Sequence, residues 1–347
     1  MRRRERIKGL KPLAEELLNI DSEEAIVMVF PHIRADGDAY GSSFALYGAL
    51  SKLGYKVVVI AEEAIYDNYA FMPYQENLYV YEDLSTAEKA KLEAKGNVAI
   101  QVDSSELNRL GARAKLFKET THKFVIDHHI SPLENNEHVF IDKDAGANTE
   151  LVYIFILLIG ALANKKLLDD KVALALYAGL LTDTGGFSYD NTSSETLKIA
   201  SELLAFNIPV AKLNNHLFKE VSYRNFNIEA ILAQKTKLSE AGELSYLIID
   251  KDLIEEYDLT DEDISPMPAK IRDIKGVKVS LILRNNLDGN YRGNLRSVGK
   301  YDVAKIAQKL NGGGHINAAG FTIEAKEDIH SVASKVIDII KTELKIN

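Results

Sequence analysis

Short, β-branched apolar runs alternate with helical patterns through the first 200 residues, and that alternation leaves few architectures open. "EAIVMVF" (24–30), "KVVVI" (56–60), "NVAIQV" (97–102) and "HKFVI" (122–126) are apolar along most of their length rather than at every second position. Strands of that kind are buried on both faces. Helical periodicity returns in "GSSFALYGALSKLG" (41–54), "NTELVYIFILLIGALA" (148–163), "KVALALYAGLLTD" (171–183) and "SETLKIASELLAF" (194–206). Strand and helix in alternation predict an α/β fold, a largely parallel sheet covered by helices. Ligands of such folds gather outside the carboxyl ends of the strands.

This first domain is expected over 1–208, with a polar helical linker over 209–240. A smaller mixed α/β domain is expected over 241–347. It starts with "LSYLIID" (244–250), then a β-hairpin of "VKVSLILRNN" and "NYRGNLRSV" turning at "LDG". The helix "DVAKIAQKL", the glycine loop "NGGGH" and a closing helix, "EDIHSVASKVIDIIKTEL", follow.

A chain of 347 residues can bury cores for two such domains. With no cysteine, disulfides and thiolate metal sites are excluded, which suits a cytoplasmic setting. A net charge of −9 argues against a long nucleic acid as partner and for a small substrate. No apolar stretch reaches the roughly 18 to 20 residues of a membrane span. "LVYIFILLIGALA", 13 residues long, reads as a buried helix. The basic start, "MRRRERIKGLKPLAEELL", reads as a helix rather than a targeting signal.

Acidic and histidine residues recur just past these strands. "VFPHIRADGDAY" (29–40) places His32, Asp36 and Asp38 after the first run, and "VDSS" places Asp103 after the third. "DHH" places Asp127, His128 and His129 after the fourth, and "GLLTDTGGF" sets Asp183 at the end of a buried helix. Any one of these reads as a helix cap or turn former, and "DGD" lacks the spacing of an EF-hand loop. Four together at corresponding chain positions are costly to desolvate unless something pairs with them, and they point to an ion site. Mixed carboxylate and imidazole ligands suit Mn²⁺, with Mg²⁺, Co²⁺, Fe²⁺ and Zn²⁺ left open. Five or six ligands suit a pair of ions roughly 3.5–4 Å apart, which clamps a phosphoryl group.

A second grip is expected near the C-terminus. Gly312, Gly313 and Gly314 allow backbone N–H groups to converge on an anion, and the residues after them are expected to open a helix. His315 adds a donor, and Arg296 with Ser297 would hold further phosphate oxygens. Over 278–300, Lys278, Arg284, Arg292, Arg296 and Lys300 face only Asp288. Arg109, beyond Asp103, is a further candidate for substrate contact. Tyr40, Phe187 and Tyr189 lie beside the motifs and are expected to pack rather than stack on a base.

"HIRADGDAYGS", "VDSS", "DHH" and "TDTGGF" resemble, in order, the four motifs of the DHH phosphoesterases. "NLRSVGKYDVAKIAQKLNGGGHINAAG" resembles their DHH-associated C-terminal domain. The resemblance covers nearly the whole chain and is strongest to the nano-RNase and pAp-phosphatase branch. It implies His32 and Asp36 on one Mn²⁺, Asp38, His128 and Asp183 on the other, and Asp103 bridging them. It implies His129 facing the substrate phosphate and Asp127 orienting a neighbouring ligand. The implied reaction is hydrolysis of short RNA or of 3′-phosphoadenosine 5′-phosphate (pAp) by a hydroxide activated between two ions. Cyclic di-AMP or its linear product pApA is the alternative substrate, and a non-catalytic nucleotide sensor the alternative of another class. No membrane and no long duplex are expected as partners, and a homodimer is compatible. Ala35 departs from the proline common before the first Asp, and Asn311 from a run of four glycines.

Overall fold

The computed structural model describes residues 3–286, 289–324 and 326–346, in two compact units, Met1–Glu220 and Val221–Asn347. The first opens on α1 (Arg3–Asn19), which confirms the helix expected at the basic start. β1 (Ile26–Phe30), α2 (Gly37–Lys52), β2 (Lys56–Ala61), β3 (Leu78–Val80) and α3 (Thr86–Leu92) follow. Next come β4 (Val98–Val102), α4 (Ala114–Glu119), β5 (His122–Asp127) and β6 (Val139–Ile141). The unit closes with α5 (Asn148–Leu162), α6 (Asp170–Asp183), α7 (Ser194–Leu203) and α8 (Val210–Phe218).

The sheet runs β3-β2-β1-β4-β5-β6 with every pair parallel. From β1 the chain builds outward through β2 and β3, then returns to β1's other side and builds outward again from β4. Strand order therefore reverses between β1 and β4, and a crevice opens there at the carboxyl ends. Alternate residues feed two cores, which is why the strands are apolar on both faces. Val27, Val29, Val98, Ile100 and Ile126 join the core with α1, α2, α5 and α6. Met28, Phe30, Ala99 and Val125 join the one with Leu116 and Phe117 of α4. β3 and β6, at the edges, are three residues each, too short for their periodicity to be read from sequence.

α2 starts at Gly37, four residues before the apolar pattern begins, because the Asp36 carboxylate caps it by accepting from the N–H groups of Asp38 and Ala39. α2 and α6 pack closely through two glycines. A Cβ on Gly41 would lie 2.6 Å from Ala175 O, and one on Gly179 2.5 Å from Thr149 Cγ2. α1 is tied to α5 by the buried Arg6, which donates to Asp142 (2.6 Å) and Glu150 (2.7 Å). The apolar run read as a buried helix is α5, and among the described residues no helix is long and apolar enough to cross a membrane.

The second unit comprises α9 (Tyr223–Lys235), β7 (Lys237–Leu238), β8 (Leu244–Ile249), α10 (Lys251–Tyr257), α11 (Asp261–Ile264) and α12 (Met267–Arg272). β9 (Val279–Asn285), β10 (Tyr291–Ser297), α13 (Val303–Lys309), β11 (Gly313–His315), β12 (Ala318–Ile323) and α14 (Ile329–Leu344) follow. Its sheet, β11-β12-β10-β9-β8-β7, is mixed: β8 and β9 are parallel and the other neighbours antiparallel. β9 and β10 form the expected hairpin; Leu287 and Asp288 of its "LDG" turn lie outside the described residues. Leu281, Leu283, Leu295 and Phe321 pack under α13 and α14, while Leu247, Ile249 and Ile282 pack under α9 and α12.

Candidate metal centre

The loop after β1 carries His32, buried at 4% exposure, whose Nδ1 donates to Ile33 O (2.8 Å). A carbonyl only accepts, so Nδ1 holds the ring proton and Nε2 is turned inward. Nε2 lies 3.5 Å from Asp103 Oδ2 and 3.9 Å from Asp36 Oδ1. Asp103, just past β4, takes a left-handed backbone (φ 57°), uncommon for an aspartate, and its N–H donates to Ile126 O (3.1 Å). His128, just past β5, repeats the His32 arrangement: Nδ1 donates to Ala145 O (3.2 Å) and Nε2 faces Asp103 Oδ1 (3.2 Å). The same Nε2 lies 3.7 Å from Asp183 Oδ2 and 3.8 Å from Asp38 Oδ2.

Asp38 is fully buried, and its carboxylate accepts from the N–H groups of Asn148 (2.5 Å) and Thr149 (2.9 Å). The first turn of α5 thus holds it, with the favourable end of the helix dipole toward its charge. Asn148, with its amide turned to satisfy both neighbours, donates to Ile126 O (2.9 Å) and accepts from Asp103 N–H (3.1 Å). Neither Asn148 nor Thr149 was a candidate from sequence, since a backbone N–H carries no residue signature. His129 is half-exposed; its Nδ1 donates to Asp127 Oδ1 (2.9 Å), so buried Asp127 orients His129.

These groups form three overlapping sets whose ligand atoms converge: His32, Asp36 and Asp103; Asp38, His128 and Asp183; and Asp103, His128 and His129. Their electrostatics show what is missing from the protein alone. Burial, then Asp103 and Asp183, pushes the Asp38 carboxyl well above the usual range. Burial also raises Asp183, to about 6. Burial opposes charge on His128, but Asp103, Asp38 and Asp183 outweigh it and hold its pKa at about 11. Burial would raise Asp103 too, yet its two histidines keep its pKa far below the ordinary carboxylate. Among the described residues, Asp103 Oδ1 and His128 Nε2 are buried without a hydrogen bond although they lie 3.2 Å apart. Two facing donor atoms left unsatisfied, ringed by carboxylates, fit a divalent cation, which would pair with both.

The second unit places its candidates differently from expectation. "NGGGH" does not open a helix. Asn311 turns the chain after α13 in a left-handed conformation (φ 57°), which asparagine tolerates, so it fills a role glycine could fill. Gly313–His315 then form β11 against β12. Gly312 and Gly314 are needed for close packing, since a Cβ would lie 2.1 Å from Gly320 O and 2.4 Å from Ala318 O. Gly312 N–H is already given to Ala307 O (2.7 Å), so it is not free to cradle an anion. Ser297 is buried, donating to Tyr301 O and accepting from Asn317 Nδ2, so its hydroxyl holds the chain rather than a phosphate.

The five-cation patch is also smaller than expected, because Lys278 pairs with Glu243 and Arg284 with Asp261. Arg292 and Arg296 stand exposed on one face of β10, with no hydrogen-bond or salt-bridge partner among the described residues, and His315 and Gly313 are exposed too. Arg109 is half-buried in the turn after β4, its carbonyl accepting from Ile33 N–H (2.8 Å). Of the aromatic residues, Tyr40 packs against Phe44 and Tyr69, and Phe187 against Tyr177. Tyr189 lies over Gly185 but is otherwise open to solvent, at 62% exposure.

An open parallel sheet that gathers acids and imidazoles at its switch point, followed by a mixed-sheet unit, is the architecture of a DHH-type phosphoesterase. The chain belongs to the DHH family: residues 26–180 match the DHH family, N-terminal domain, and 244–342 the DHHA1 domain. It is 31% identical over 324 residues to the bifunctional oligoribonuclease and PAP phosphatase NrnA of Thermus thermophilus, covering 92% of this chain and 91% of that one. The Bacillus subtilis protein of the same name is 27% identical over 331 residues, covering 94% of this chain and 98% of its own. An exopolyphosphatase-related protein from Bacteroides fragilis shares the fold with a TM-score of 0.82, 25% identity and 96% of each chain covered. The protein is a hydrolase acting on phosphoester bonds.

Proposed function

We propose that this chain hydrolyses oligoribonucleotides of about two to five nucleotides to mononucleotides, and pAp to AMP, using two divalent ions, Mn²⁺ by preference. One observation carries the reading: the two oxygens of Asp103 face different histidines, His32 at 3.5 Å and His128 at 3.2 Å. A carboxylate so placed would offer one oxygen to each of two ions. His32 and Asp36 complete one ligand set, and Asp38, His128 and Asp183 the other. Ions held there supply Lewis acidity and a water acidic enough to attack phosphorus near neutral pH.

The residues of the chain do the positioning. Asp127 fixes the His129 ring through Nδ1 and favours its protonated form, so Nε2 is the atom offered to a phosphoryl oxygen as charge builds there. The Asn148 and Thr149 N–H groups each hold one oxygen of the Asp38 carboxylate in place. In the second unit, Arg292, Arg296 and His315 are the donors for a terminal phosphate, and Arg109 in the first has a guanidinium with no partner among the described residues. The names of the relatives, which join oligoribonuclease and PAP phosphatase, support both substrates.

The test is product analysis with Mn²⁺, offering a labelled RNA trimer, pApA, cyclic di-AMP and pAp in parallel, beside Asp103→Ala. Stepwise mononucleotide release and pAp turnover, both lost in Asp103→Ala, are expected. Cleavage of cyclic di-AMP with the trimer intact would move the chain to the cyclic-dinucleotide reading. Tight binding of all four with turnover of none would overturn catalysis in favour of a sensor.

A further inference from the structure

Residues Leu107–Arg113, just after β4, form a 3-10 turn that reaches the loop carrying His32 in two places. Ile33 N–H donates to Arg109 O (2.8 Å), and Arg113 Nη1 donates to Pro31 O (2.8 Å). The residues on both sides of His32 are thus held by one turn. Arg113 Nη1 also donates to Ile60 O (2.7 Å), at the end of β2, while Nε donates to Leu110 O (3.0 Å) and to Glu62 Oε2 (3.2 Å). The side chain is 0% exposed. Glu62 in turn accepts from Ala112 N–H (3.0 Å), an approach that requires Gly111, where a Cβ would lie 2.5 Å from the carboxylate.

A guanidinium desolvated to this degree, with one carboxylate and three carbonyls, is costly unless the geometry it enforces matters. The loop it grips is fixed largely by contacts to other segments. Arg34 sits in a left-handed conformation (φ 53°), its N–H given to Glu63, and Ala35 supplies no rigid ring. We infer that Arg113 is a positioning residue: by fixing Pro31 O it sets where His32 Nε2 lies, and with it the affinity of the ion site built from His32, Asp36 and Asp103. The inference rests on the two-ion reading above.

Calorimetric titration with Mn²⁺ on the full chain tests it, with His32→Ala and Asp183→Ala marking which binding class belongs to which site. In Arg113→Lys a single ammonium replaces the fork that reaches Pro31 O, Ile60 O and Glu62 together. The class that His32→Ala removes is expected to weaken about 10- to 100-fold, as when a residue supporting a metal ligand is lost. The class that Asp183→Ala removes is expected to hold within about twofold, and turnover to return in excess Mn²⁺. Glu62→Gln, which keeps the acceptor for Ala112 N–H, should shift the same class in the same direction if Arg113→Lys does not fold. Equal weakening of both classes, or no weakening of either, would overturn the inference. A wild-type chain that takes up a single ion would instead overturn the two-ion reading, and the positioning role with it.

Discussion

Asp183 is one of the acids of the centre whose carboxyl is raised. Burial, with Asp103 and Asp36 nearby, holds its carboxyl at about 6 against the pull of His128. A raised carboxyl keeps its proton below that pH, and an ion must displace it, so ion affinity falls as pH drops through about 6. Mn²⁺ titrations across that range are expected to weaken on the acid side, and Asp183→Asn to lose that inflection along with much of the affinity. An unchanged inflection in the variant would assign the proton elsewhere. His32 and His128 were legible as ligand candidates because each directly follows an apolar strand. Their Nδ1 bonds to Ile33 O and Ala145 O were not, because the carbonyl that orients a ring is set by the backbone path rather than by residue type.

At the scale of elements, the contact of α2 with α6 brings Asp38 and Asp183 together, and glycine makes it possible. In Gly179→Ala a Cβ would lie 2.5 Å from Thr149 Cγ2 and 3.0 Å from Asp38 Oδ1. Overpacking of this kind costs about 1–3 kcal/mol. A thermal-unfolding measurement should show that loss, and Mn²⁺ affinity should fall with it. The exposed face of β10 makes a different prediction. Arg296→Ala is expected to raise KM with kcat nearly unchanged, since it removes binding shared by ground and transition states. A fall in kcat alone in steady-state assays would remove Arg296 from terminal-phosphate binding. The glycine run was legible as a special backbone, but its partner strand β12 decides that it forms a hairpin rather than a helix start.

For the molecule as a whole, the strongest expectation concerns ions and stability. The metal-free first unit holds several carboxylates against one another, and ions that bind only the folded chain add stability by mass action. The gain is about 2.7 kcal/mol when free ion is about a hundredfold above its Kd. Differential scanning calorimetry should show an unfolding transition that rises with Mn²⁺ and falls back on chelation. A transition that does not respond would count against the metal centre. The net charge of −9 adds to the effect, because bound cations relieve part of the repulsion within the chain.

Local rules by themselves determined the longer helix and strand runs, the parallel α/β class and which Asp and His residues were candidates for an ion site. Apolar periodicity is a local property, and clusters of Asp and His at strand ends are costly without a purpose. Tertiary structure alone decided how those residues face one another. Whether Asp103 faces two histidines depends on β1 and β5 both pairing with β4. Whether Lys278 and Arg284 are free to meet an anion depends on Glu243 and Asp261, which lie 35 and 23 residues away in sequence. Partners that distant leave no periodic mark on either segment, because their meeting is a consequence of packing rather than of local conformation.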